Sequence, residues 1–132
     1  YGGRALVAQD LSAVTAACLL TKVDLYKALG GLNEKHLPVA FNDVDFCLRV
    51  REAGFNVIWT PHALLYHHES VSRGKDETPA RKRRALGELR YMRKRWGKVM
   101  LNDPFYSPNL NYQRPDFTLA ALPRVVRPWI QR

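Results

Sequence analysis

Cysteine is scarce in this 132-residue chain: Cys18 and Cys47 each stand in an apolar stretch, with no second Cys or His nearby at zinc-ligand spacing. That argues against a structural zinc site, and both thiols read as small buried hydrophobes in a reducing compartment. Long apolar runs are absent too. None approaches the roughly 20 residues a membrane span needs. The opening Tyr1-Gly2-Gly3-Arg4 does not resemble a secretory leader, and the missing initial Met suggests a piece of a longer protein. Acidic residues are in short supply: 12 Asp and Glu face 21 Lys and Arg, a formal charge of +9. Such a surplus favours an anionic partner: nucleotide phosphates, nucleic acid or an acidic membrane surface. There is no internal repeat, and no stretch polar enough to read as disordered.

What is present suits one modest core rather than two domains, with 46% hydrophobic residues. The run Ala13–Thr21 is apolar and lacks alternation, which predicts a strand buried on both faces. VDLYKALGG predicts a short helix with Val23, Tyr26 and Leu29 on one face, stopped by Gly30-Gly31. After a loop interrupted by Pro38 comes the clearest helix. Asn42 is its expected N-cap and Asp45 stands where a capping box places an acid. Phe46, Cys47, Val50 and Ala53 form its apolar face, and Gly54 ends it. FNVIWT predicts a strand broken by Pro61, and ALLYHHE a further extended segment. Beyond the polar SVSRGKDET, a helix is predicted over Pro79–Trp96 with an inward stripe of Ala85, Leu89, Met92 and Trp96. Much of the positive charge lies between Arg81 and Lys98, where Glu88 is the only acid. Residues 99–132 read as an extended, ordered tail rich in Pro, Asn and aromatics.

Two segments could carry chemistry. Asp43 and Asp45 fall in the first turn of a helix, where the macrodipole alone favours acids. Asp45 has Arg49 one turn on, an (i, i+4) ion pair, so it has a structural reading beside that of a substrate contact. Asp43 has no evident structural partner and is the stronger functional candidate. In YHHES, His67 and His68 occupy consecutive strand positions and face opposite ways. Ser72 and Arg73 in the loop that follows are suited to phosphate oxygens.

Taken together, AACLLTKVDLYKALGGLNEKHLPVAFNDVDFCLRVREAGFNVIWTPHALLYHHESVSRG, Ala13 to Gly74, resembles the second half of a family 2 glycosyltransferase, the large inverting GT-A group. The likeness rests on a linked order. An apolar strand, GG(L/F)-x-E and an acidic helix start followed by LR and AG come first, then a strand and His-x-x-x-x-Ser. RWGKVMLNDPFYSPNL extends it toward bacterial members that build cell-surface polysaccharides. The resemblance implies an α/β fold, the C-terminal half of a GT-A domain. It would be a few-stranded mixed sheet with flanking helices, with 13–74 as motif-bearing core and 79–98 as a basic amphipathic helix. It implies that Asp43 is the general base, Asn42 replacing the acid that precedes it in the family, with Asp45, Ser72 and Arg73 toward substrate. His67 would join Mn²⁺ or Mg²⁺ with a DxD motif that this chain lacks, as it lacks the donor-binding βαβ units. The donor would be a nucleotide-diphosphate sugar and the acceptor a saccharide or a lipid-linked species. The setting would be cytoplasmic, and separately the basic 79–98 helix is suited to hold the protein against the anionic inner face of the cell membrane, where lipid-linked acceptors sit. The rival reading is a non-catalytic basic module for nucleic acid or a membrane surface, resting on the arginines of the 79–98 helix.

Overall fold

The computed structural model describes residues 2–68, 78–114 and 116–125. Among these residues, three α-helices, α1 (Val23–Ala28), α2 (Asn42–Glu52) and α3 (Pro79–Leu101), accompany a two-residue antiparallel pair, β1 (Gln9–Asp10) and β2 (Ile58–Trp59). Short 3-10 turns cover Gly2–Leu6 and Ala16–Cys18. The chain divides into two compact units, Tyr1–Arg95 and Trp96–Arg132. Among the described residues, no helix is long and apolar enough to cross a membrane.

The first unit is organised by α2. Phe46, Cys47 and Val50 recur on one face of that helix and are buried with Val57, and Ala13, Val14, Leu19, Leu25, Leu29 and Leu32 pack around them. Burying each large apolar side chain contributes roughly 1.5–3 kcal/mol, so this cluster is the main local driving force. The predicted face of α2 holds except at Ala53, which is exposed. The inward residues here are Leu25 of α1 and Leu29 at its C-cap, whereas Val23 is 63% exposed. Tyr26 lies at the rim, its ring 5.3 Å from that of Phe46. Both helices end as their glycines require: Gly30, Gly31 and Gly54 have φ of 77°, 66° and 84°, which a side chain would strain.

The predicted strand over Ala13–Thr21 is not formed. Its backbone donors are taken by side chains instead of a ladder: the Asp43 carboxylate accepts from the Ala16 N–H and Thr15 Oγ1 from the Ala17 N–H. Those contacts favour a 3-10 turn, and Cys18 is left exposed, contrary to the expectation of two buried thiols. Cys47 is buried, and burial pushes its thiol pKa up, which makes it a packing residue rather than a nucleophile. FNVIWT pairs only at Ile58–Trp59, and residues 63–68 form no strand. Leu64, Leu65 and Tyr66 are exposed there.

Helix α3 starts at Pro79 as predicted but continues past Gly97 to Leu101. Met92 and Trp96 of its stripe are buried, while Ala85 and Leu89 are half-buried. In the second unit, the segment read as an extended tail folds back on itself. Leu110 bridges Leu119, and the Arg124 guanidinium lies 3.4 Å from the Tyr112 ring centroid.

Asp10 fastens the β1–β2 ribbon to α2. Its Oδ1 accepts from Arg51 Nη1 at 2.7 Å and from the Val57 N–H at 3.2 Å. The Arg51 bond holds the Asp10 carboxyl below its ordinary value. A lowered carboxyl contributes stability above the ordinary Asp pKa of about 3.9 and loses it as pH falls through the lower folded value. Asp10→Asn is therefore expected to flatten the fall in thermal midpoint on acidification below about pH 4. Thermal scans of both proteins across that range check this, and parallel curves would show that the pair is unimportant.

Candidate functional site

The site is built around the start of α2. Asn42, expected as the N-cap, lies inside the helix, and the capping position is held by Phe41 without a side-chain cap. Phe41 has φ 62° and ψ 6°, the left-handed region that an L-residue with a bulky side chain enters at a cost of roughly 1–2 kcal/mol. Such a conformation persists only where neighbours over-determine it. Upstream, the Glu88 carboxylate on α3 accepts from the N–H groups of Val39 and Ala40 at 2.9 and 3.2 Å. Glu88 is 2% exposed, with Arg84 Nε 3.7 Å from its second oxygen. Close by, the Tyr91 ring stacks on His36 at 4.7 Å and its hydroxyl accepts from Asn33 Nδ2 at 2.9 Å. Helix α3 thus grips the loop that delivers the chain into α2.

Downstream, Asp43 is half-buried and each of its oxygens accepts one backbone donor. Ala16 donates to Oδ2 at 3.1 Å and Val44 to Oδ1 at 2.8 Å. The structural partner missing from the sequence reading is thus the Ala16 amide. A carboxylate has about four lone-pair sites, so these two bonds leave room for a hydroxyl donor. The carboxylate is oriented by backbone on both oxygens and remains partly open to solvent.

Asp45, expected toward substrate, has its structural partner in place. It is 1% exposed and turned toward Arg49, whose Nε lies 2.9 Å from its Oδ2. The predicted (i, i+4) pair is formed, and it does more than the spacing revealed. Arg49 Nη1 donates to the Leu29 carbonyl at 2.5 Å and Nη2 to the Gly31 carbonyl at 2.7 Å. The guanidinium therefore joins α2 to the end of α1 and the Gly30-Gly31 turn. That turn, with Leu32, Asn33, Glu34, Arg49 and Tyr91, borders an open groove of about 400 Å³. Gly31 is tightly fitted, since a Cβ there would meet the Tyr26 ring at 3.1 Å. Asp43 does not line this groove.

His67 and His68 are both exposed and lie outside any strand, so the argument that they face opposite ways does not apply to them. Among the described residues, no three His, Cys, Asp or Glu side chains converge as a metal site would need. These residues therefore do not by themselves fit the divalent cation that the family resemblance implies. Ser72 and Arg73 lie outside the described residues. Sequence reasoning missed Glu88, although a signal existed. It lies three residues after Ala85 and four before Met92, squarely on the inward stripe.

No family model matches the chain, and no solved structure does. Two curated proteins do. Over 121 residues the chain is 51% identical to the uncharacterized protein y4gI of Sinorhizobium fredii (strain NBRC 101917 / NGR234), covering 92% of the chain and 13% of that protein. Over 110 residues it is 34% identical to the O-antigen biosynthesis protein RfbC of Myxococcus xanthus, covering 83% of the chain and 8% of that protein. The chain thus spans only 8–13% of the length of these relatives.

The Asp45–Arg49 contact sets a stability expectation. Asp45→Ala leaves a partly buried guanidinium without its carboxylate, a loss of roughly 1–3 kcal/mol. Arg49→Lys should cost a similar amount, because an ammonium cannot reach one carboxylate and two carbonyls in a fixed fork. Denaturant unfolding of both variants measures this, and losses below about 0.5 kcal/mol, the range of ordinary surface changes, would remove the pair from its structural role.

Proposed function

We propose that this chain is the acceptor-side part of an inverting, nucleotide-sugar-dependent glycosyltransferase of family 2, acting in cell-surface polysaccharide synthesis. The supporting observation is the 34% identity over 110 residues to a protein named for O-antigen biosynthesis. The motif order from Ala13 to Gly74 adds the GT-A fold and the inverting chemistry to this reading.

In the proposed reaction, Asp43 takes the proton from an acceptor hydroxyl as that oxygen attacks the anomeric carbon. The bond from this carbon to the donor diphosphate breaks on the opposite face, and configuration inverts. The chain's own contribution is geometric. Asp43 is oriented by the Ala16 and Val44 amides and sits at the positive end of α2, which favours negative charge there. Asp45 is buried and paired with Arg49, which holds the neighbouring turn.

The test separates Asp43's structural contact from its chemical role. Asp43→Asn keeps one acceptor oxygen and loses the other, which costs about 1 kcal/mol of stability. A general base contributes roughly 10²–10⁴-fold in rate. In the full-length protein, screened with nucleotide-diphosphate sugars for release of nucleoside diphosphate, Asp43→Asn should lower turnover at least about a hundredfold while the fold survives. Turnover above about a tenth of the starting value, less than the smallest loss expected for a base, would remove Asp43 from that role.

A further inference from the structure

About one third of the surface of helix α3 gathers five of the nine cations between Arg81 and Lys98 and no acid. Glu88, the only acid between Arg81 and Lys98, is turned inward and buried, so it offsets none of the charge that faces solvent. Lys82, Arg83, Arg90, Arg93 and Lys94 are all exposed, and none of them forms an ion pair among the described residues. At 100° per residue these five cations fall within an arc of about 120° and extend over about 18 Å of helix. Leu86 lies inside the same arc and is 62% exposed. On the opposite side of the helix Met92 and Glu88 are buried, while Arg81 and Arg95 there are exposed, Arg95 in an ion pair with Glu52.

We propose that this face of α3 is a docking surface for an anionic phospholipid bilayer. Five cations on about one third of the helix surface, with no acid between them, match a plane of negative headgroups. Each Lys or Arg brought near such a surface strengthens binding about fivefold. Leu86 decides between partners. A leucine amid the cations gains from the acyl boundary of a bilayer and gains nothing from phosphates in water. Stacking on bases, which single-stranded nucleic acid rewards, would need an outward aromatic. Tyr91 is instead stacked inward on His36 at 4.7 Å. The inference is independent of the transfer reaction proposed above and would stand without it.

The experiment is co-sedimentation of the full chain with vesicles of phosphatidylcholine alone and of phosphatidylcholine with phosphatidylglycerol. Binding is expected only to the anionic vesicles. Raising salt from about 0.1 M to about 1 M shortens the Debye length from about 10 Å to about 3 Å and should release most of the protein. The combined change of Lys82, Arg83, Arg90, Arg93 and Lys94 to Gln should weaken partition by roughly a hundredfold or more, with helicity and thermal midpoint retained. Should that variant fail to fold, the salt comparison on the unsubstituted chain tests the same claim. Leu86→Ser alone should weaken partition severalfold. Equal uptake by neutral vesicles, or undiminished binding by the folded Gln variant, overturns the proposal. So does tighter binding to duplex DNA of arbitrary sequence at equal salt with Leu86→Ser inert, which would assign the face to nucleic acid.

Discussion

The first unit depends on one cation. Arg49 uses its planar fork to hold the Asp45 carboxylate and two carbonyls, Leu29 and Gly31, at the same time. The Leu29 and Gly31 carbonyls lie just past α1, where no further helical turn supplies a donor, and unsatisfied ones near a core are costly. Helix α1 has only six residues, too few to persist on propensity alone. It is followed by two glycines in the left-handed region, which supply a sharp turn and no stiffness. The guanidinium supplies what these residues lack, a fixed partner reaching across from α2. Its charge is balanced by a carboxylate on the same helix, so holding the turn does not leave an uncompensated ion.

A second clamp works from α3. Glu88 presents one oxygen to two successive amides, Val39 and Ala40, directly before the strained Phe41. Asp43, two residues beyond it, is tied to Ala16. Phe41 thus sits between two anchors from different parts of the sequence. Neither is local, and this is how a conformation that costs roughly 1–2 kcal/mol is maintained. Moving Phe41 into the ordinary helical region would swing the Val39–Ala40 amides away from Glu88 or the Asp43 carboxylate away from Ala16.

Periodic features were legible in the sequence and solitary contacts were not. The 3.6-residue spacing located all three helices, and the glycines at 30, 31 and 54 marked real turns because only they accept positive φ cheaply. The Asp45–Arg49 pair followed from its one-turn spacing. The failures share a cause. Ala13–Thr21 read as a strand because its composition is apolar, yet its amides are claimed by the Asp43 side chain and by Thr15. Asn42 read as a cap because its chemistry fits, but the loop held by Glu88 brings the backbone into α2 through Phe41. Thr15 acts locally, but the Asp43 and Glu88 contacts span 27 and 49 residues in sequence, beyond the reach of any local pattern.

The same non-local contacts bear on what Asp43 can do. A carboxylate at a helix start serves equally well as a cap or as a base when its orientation is unknown. Here its own amide contact, to Val44, lies one residue on and satisfies only one oxygen. The other oxygen reaches out of the helix to Ala16, fixing the side chain toward the Thr15–Ala17 turn. A cap alone would need no such second anchor. A base must hold its oxygens within hydrogen-bond reach of the proton it takes, and the side chain's rotational freedom works against that. The two amides remove this freedom without consuming the carboxylate's capacity to accept. Asp45, by contrast, is fully buried against Arg49 and holds the fold together from the other side of the helix start.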